Sequence, residues 1–383
     1  MSRKTKNILL LVPLIIYVIL YQVLLLKDFL RYSEFISAAV IIVLLFFSIM
    51  AYGWQKDKKT FLGTELTKLT AILVAIYFVL SYGSGLLIGF LRNSYSLQPA
   101  AIINNIFAPI IIIVCVELFR YVMIKTNKDS KATMVMTTII LALFESLIAI
   151  RVTNLFRPAE AFKIITSVVM PIITRNAVMS YLTYNSGYKP TLIYRLLIDT
   201  YIFIVPIVPS FSDYVRSIIG ICFPMLIFIY SSRIVNEFNN NVDKEFNPKM
   251  FTIGDIPVFI VVLLLGALIS GYFTYYMIGV GSGSMSPNIN KGDAVVVKKI
   301  KSDKDIKAGD ILAFKSGEKI IIHRLAKKDK NDKGETVYIT KGDANNSEDN
   351  QKLTIGDVSG KVLFRIPYIA WPTIYVTDLL EEE

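Results

Sequence analysis

Histidine is almost absent from this chain: His323 is the one imidazole in 383 residues. Any site that needs two imidazoles is excluded. Cysteine is nearly as scarce. Cys115 and Cys222 both lie in apolar runs, so no disulfide framework, C-x-x-C pair or zinc pattern can be built from them. Charge is thin too, at 19% of residues against 54% hydrophobic, and mean hydropathy is +0.54. That balance predicts several membrane spans. The charge present is biased, with 41 Lys and Arg against 30 Asp and Glu, a formal +11. In a membrane protein such a surplus first serves orientation. The basic residues are not interleaved with aromatics as in single-strand binders, so nucleic acid is not an expected partner. No internal repeat is evident.

The apolar residues fall into runs near the roughly 20 residues that cross a hydrocarbon core. They are 8–26, 35–54, 69–90, 100–123, 133–150, 162–184, 193–208, 215–234 and 256–276. The first resembles a signal peptide, but Lys27-Asp28-Phe29 follows where a small-residue cleavage site would be needed, so a retained anchor is expected. Pro171 and Arg175 interrupt the sixth run, and the seventh is short and bounded by Pro206 and Pro209. Arg3, Lys4 and Lys6, then Lys56, Lys58 and Lys59, then Arg120, Lys125, Lys128 and Lys131 mark one side. They predict a cytoplasmic N-terminus, with 151–163 mildly in conflict. By parity everything after residue 276 is expected outside the cytoplasm. Glu117, Glu145, Arg175 and Asp199 sit inside the apolar runs. Intramembrane charges are functional candidates by default, but structural pairing is the expectation here. Glu117 has Arg120 one turn away, and Arg175 is expected at a helix end or snorkelling.

Directly after the last apolar run comes Gly281-Ser282-Gly283-Ser284-Met285-Ser286-Pro287. Small residues with a proline close by suit a tight, exposed turn that presents a hydroxyl. A plain Gly/Ser hinge fits equally well. Beyond it the texture is strand-like, at 294–300, 311–315, 319–326, 336–340 and 360–366, with turn signals between. This predicts a compact all-β domain over 278–383. The tail is apolar again around 368–375, but Pro367 and Pro372 argue against a tenth span.

A serine needs a base to take its proton, and an imidazole, ordinarily titrating near 6.5, suits that work. His323 lies in a strand-like apolar run. The polar loop 340–349 supplies carboxylates, Asp343 and Asp349. Asp343, Asn345, Ser347 and Asp349 alternate like calcium ligands, but Glu348 stands at the position requiring glycine and Thr354 where a bidentate Glu is needed. A carboxylate that orients the imidazole is the better reading.

Five motifs now stand in order: Ser282-Gly283-Ser284-Met285-Ser286-Pro287; Lys291-Gly292-Asp293; His323-Arg324; Gly342-Asp343 with Asn345-Asn346 and Asp349; and Gly360-Lys361-Val362. Together, over about 278–370, they resemble the type I signal peptidases, and the histidine resembles the endoplasmic-reticulum-type branch. The resemblance implies that Ser284 is the nucleophile, His323 the base and Asp349 the essential acid, with Asp343 also implicated. By analogy with the lysine-based branch it implies an oxyanion hole from the Ser282 hydroxyl and the Ser284 backbone N–H. Family members usually have one or two spans, whereas this chain has about eight before the one leading into the peptidase-like part. The resemblance does not cover 1–250.

The expected architecture is therefore a multi-span helical region over 1–250, a final transmembrane helix over 251–277, and a small all-β serine peptidase domain over 278–383, with about nine membrane helices in all. The expected activity is removal of N-terminal signal peptides from exported proteins, with cuts after small residues and no metal or cofactor. Expected partners are signal-peptide-bearing preproteins, the lipid bilayer and the protein-export machinery, and the expected location is the cell membrane. Two alternatives remain at this point: a transporter or sensor with a vestigial peptidase-like tail, and a serine–lysine peptidase of the same fold using Lys298, Lys319 or Lys341.

Overall fold

A computed structural model describes residues 2–26, 33–56, 60–150, 152–156, 158–211, 213–240, 275–300, 302–316, 319–330, 334–368, 370, 371 and 374. Its contacts divide the chain into two compact units, Met1–Leu263 and Leu264–Glu383.

The first unit is helical: α1 (Arg3–Leu26), α2 (Ser33–Tyr52), α3 (Thr60–Ile88), α4 (Pro99–Thr126), α5 (Lys131–Ala149), α6 (Pro158–Ile164), α7 (Met170–Ser186), α8 (Lys189–Thr200) and α9 (Asp213–Asn240). Local chemistry sets several ends. Pro99 opens α4, where its missing N–H costs nothing. Ser130 caps α5 by accepting from the Thr133 N–H. Gly187, at φ +93°, closes α7. Among the described residues, seven helices are long and apolar enough to cross a membrane. Their outward faces stay apolar, with Val79, Phe46 and Ile19 all more than half exposed, as expected of helices that meet lipid on one side and protein on the other.

The seventh predicted span, 193–208, is corrected. It is the 12-residue α8, then a 3-10 turn at Tyr201–Phe203, then the strand β2 (Ile207–Pro209). β2 pairs antiparallel with β1 (Phe90–Arg92). Pro206 and Pro209 lack the N–H a helix would need, so the run breaks there. The short element still runs from one end of the unit to the other. Tyr188, just before α8, packs against Trp54 and Tyr121 at the end of the unit where α2 finishes. β2 lies at the opposite end, where α3 finishes. Most of the predicted final span, 256–276, lies outside the described residues.

The buried charges pair with one another. Glu117 and Arg120 of α4, Glu145 of α5, Arg175 of α7, and Arg195 and Asp199 of α8 join in one network. Arg175 sits within α7 and binds Glu145 at 2.6 Å and Asp199 at 3.0 Å, so it neither snorkels nor ends a helix. Arg195, which the sequence reading passed over, is the hub: it meets Glu117, Glu145 and Asp199. Three cations balance three carboxylates, the condition under which burial of charge is tolerable.

The second unit is a six-stranded antiparallel sheet in the order β3-β4-β8-β5-β6-β7. The strands are β3 (Tyr275–Gly279), β4 (Ala294–Lys298), β5 (Ile311–Ser316), β6 (Lys319–Lys330), β7 (Thr336–Lys341) and β8 (Val358–Ile366). β3 is the strand the sequence did not show, because Tyr275 and Tyr276 read as the end of an apolar run. Val280, Met285, Ile289, Val295, Ala313 and Ile322 share one core cluster, and Leu312, Phe314, Leu325, Tyr338 and Leu353 share a second. In the tail, Ala370 and Ile374 pack with Ala294, and the Ala370 N–H donates to the Gly292 carbonyl.

Candidate active site

Three sequence-distant pieces of the sheet meet here: the β3–β4 connection, strand β6 and the β7–β8 connection. The first carries the serines. Its two ends are tied together, the Val280 N–H donating to the Asp293 carbonyl at 2.8 Å and the Gly292 N–H to the Val280 carbonyl at 3.0 Å. Asp293 is buried and accepts from the backbone N–H groups of Asn290 and Tyr368 and from Arg365. Burial works against its charge, but those donors win and hold its carboxyl below the usual range. Gly292 has φ +95°, and a Cβ there would lie 2.2 Å from Trp371 Nε1, so any other residue would strain the backbone and displace the indole. Met285 and Ile289 anchor the loop from beneath in the core. That leaves Ser282 exposed and Ser284 half-buried, their hydroxyls 3.3 Å apart. Ser286 differs: its hydroxyl donates to Asn290 at 2.9 Å.

His323 lies on β6 opposite Leu312 of β5. It is buried and sits edge-on to Phe314 at 6.1 Å. Its Nδ1 is 2.6 Å from Asp349 Oδ2. A partner on Nδ1 sets the ring's orientation and leaves Nε2 for a second group. Among the described residues, the Ser284 hydroxyl does not hydrogen-bond His323; its partner is Ser282.

Asp349 is held by a residue the sequence reading missed. Thr340, fully buried on β7, donates its hydroxyl to Asp349 Oδ2 at 2.6 Å, and its carbonyl accepts the Asp349 N–H at 2.8 Å. A threonine at the buried end of an apolar strand was the available signal.

Asp343 takes a different place from Asp349. Arg324 grips it with two parallel bonds of 2.8 and 2.7 Å, and Asn288 of the serine loop donates to it at 2.8 Å. The Arg324 bonds hold the Asp343 carboxyl below the usual carboxylate range. Asp343 therefore ties the serine loop to the histidine strand, and Asp349 is the one that touches the imidazole. A second tie is backbone: the Ala344 N–H donates to the Ser284 carbonyl at 2.9 Å. A Cβ on Gly342 would come within 2.7 Å of that carbonyl oxygen, so glycine is what allows the approach. Of the lysines weighed as alternative bases, Lys298 is exposed at the end of β4, in register with Tyr275 and Lys361. Lys341 lies opposite Arg324.

Residues 253–349 match the sequence model of the family "Signal peptidase, peptidase S26". The chain is 35% identical over 106 residues to the signal peptidase complex catalytic subunit SEC11C of Homo sapiens and of Mus musculus, covering 25% of this chain and 55% of theirs. It is 28% identical over 107 residues to the signal peptidase complex catalytic subunit SEC11 of Zygosaccharomyces rouxii, covering 25% of this chain and 63% of that one. The chain thus spans little more than half the length of the human and mouse relatives.

Proposed function

We propose that the β unit is a serine endopeptidase that removes signal peptides from exported preproteins, cutting after small residues, and that the helical unit holds it in the membrane. In this reading the Ser284 Oγ attacks the scissile carbonyl while its proton passes to His323 Nε2. Asp349, on Nδ1, fixes the ring and stabilises the imidazolium. The Ser282 hydroxyl and the Ser284 N–H donate to the developing oxyanion; one such donor is worth roughly 10²–10³ in turnover. The imidazolium then gives its proton to the leaving amine. Water, deprotonated by the same ring, hydrolyses the acyl-enzyme and restores Ser284. Asp343 acts at one remove, by locking Asn288 and Arg324 together.

The observation that carries this reading is the contact of His323 Nδ1 with Asp349 at 2.6 Å, on the connection that also clamps the Ser284 carbonyl. Similarity to the SEC11 subunits supports the substrate class. The test is cleavage of a preprotein by the full chain in detergent. Ser284→Ala should abolish cleavage, and Ser286→Ala, whose hydroxyl is spent on Asn290, should leave most of it. The reverse ranking would move the nucleophile and undo the oxyanion assignment.

A further inference from the structure

The helical unit has a pocket that the peptidase reading leaves unused. It measures about 400 Å³ and opens at the end where α3 finishes and α9 begins. Its walls are aromatic, with Tyr77 against Phe223 at 4.8 Å and Phe78 against Tyr201 at 5.1 Å. Tyr77, Tyr201 and Arg216 all line the pocket. Arg92, on β1, lines the same pocket, and no described lining residue is acidic. The mouth is built. β1 and β2 frame it, and the Asn93 amide ties their connections by donating to the carbonyls of Ile202 and Val205.

Two arginines lie at this end, and Arg216 also donates to the Phe211 carbonyl at 3.3 Å. Arg3, Lys6, Lys125, Lys128 and Lys131 lie at the opposite end of the unit, where Tyr52 bonds Arg3 and Asn7 bonds Asn127 and Thr133. The bias that orients a membrane protein puts its cations at that end. It does not account for Arg92 and Arg216. A positive pocket with aromatic walls and no acidic residue among its described lining, at the level where long apolar helices finish, suits an anion carrying an apolar body.

We propose that this pocket binds the phosphodiester of an anionic phospholipid, its charge on Arg92 and Arg216 and the start of its acyl body on the aromatic walls. The proposal rests on the helical unit lying in a bilayer. Its readout does not involve peptide cleavage, so it can fail while the peptidase reading stands, and the reverse.

The test uses the full chain in nanodiscs of phosphatidylcholine mixed with phosphatidylglycerol, with retained lipid counted by native mass spectrometry. Wild type should keep phosphatidylglycerol over phosphatidylcholine by about tenfold, a preference in reach of two arginines at a membrane surface. Arg92→Gln with Arg216→Gln should bring it to parity, and Arg92→Lys with Arg216→Lys should keep most of it. Both side chains are exposed, so neither pair of changes removes core packing. Lys125→Gln with Lys128→Gln, at the other end, should leave the preference intact. An unchanged preference in the glutamine double variant would overturn the proposal. So would loss of preference in the Lys125/Lys128 variant. Displacement of the lipid by millimolar inorganic phosphate, itself then retained, would assign the pocket to soluble phosphate and overturn the lipid.

Discussion

Thr340 holds Asp349 twice, through its carbonyl and through its hydroxyl, and the hydroxyl goes to the same oxygen that meets His323. Both bonds hold that carboxylate oxygen in place against the imidazole. Thr340→Val keeps the shape and removes the donor. Hydrogen bonds to charged groups are worth about 1.5–3 kcal/mol, so kcat should fall roughly tenfold or more with KM nearly unchanged. Thr340→Ser should restore the rate. An unchanged kcat in Thr340→Val would reduce Thr340 to packing. Asp343 makes a prediction of another kind. Its folded carboxyl is held below the ordinary range by Arg324, so the unfolded chain takes up that proton at higher pH. The stability this supplies is full above the unfolded value of about 3.9 and is lost as pH falls through the folded one. Asp343→Asn should lower the melting point of the β unit at pH 7 and flatten its fall below about pH 4. Trp371 fluorescence in a Trp54→Phe background reports this, and an equally steep acid fall in Asp343→Asn would count against it. The serine turn, His323 and the carboxylate loop were legible because each is a local signal. The Thr340, Asn288 and Arg324 contacts were not, since a buried hydroxyl or a surface amide gains its role only when strands far apart in sequence come into register.

At the scale of elements, the errors share a cause: an apolar run does not announce its period. β3 was absorbed into a predicted span, because short apolar stretches read alike as buried helix and buried strand. α8 was read as a full span, although Pro206 and Pro209 already marked its limit. The same error hid Arg195. Four residues before Asp199, it falls on the same face of α8 and faces α4 and α5 across the bundle. Removing it strands three carboxylates around the two cations that remain. Breaking a buried ionic group on one side costs about 3–5 kcal/mol, whereas replacing a balanced set together can be neutral. Arg195→Leu should therefore lower the unfolding midpoint of the helical unit sharply, and Arg195→Leu with Glu117→Gln should recover part of it. Arg195→Lys should recover little, since one ammonium cannot reproduce a fork that meets three carboxylates. Thiol labelling of half-buried Cys115 during heating, in a Cys222→Ser background, reads the midpoint. Equal midpoints for wild type and Arg195→Leu would show that the network contributes no net stability.

At the scale of the whole molecule, sidedness decides whether the proposed peptidase can meet exported chains. Within the helical unit the two ends can be told apart. Arg3, Lys6, Lys125, Lys128 and Lys131 share one end, and Gly63 of α3 approaches the Ser186 carbonyl of α7 there, a Cβ standing 3.0 Å away. The β1–β2 ribbon marks the other. The chain reaches the ribbon through α8 and returns through α9, so eight traverses precede residue 241, although one is too short and too polar to register as a span by length and composition. The apolar run 256–276 would add one more. With the basic end cytoplasmic, the β unit is then expected outside. A reporter fused after Glu383 should behave as extracytoplasmic, and one placed in 125–131 as cytoplasmic. Two further insertions isolate the short traverse. One at Gly187 should be cytoplasmic and one at Phe211 extracytoplasmic, because α8 lies between them. If Gly187 and Phe211 report the same side, α8 does not cross. Removing that one traverse would reverse the expected side of the β unit and take the proposed substrates out of its reach.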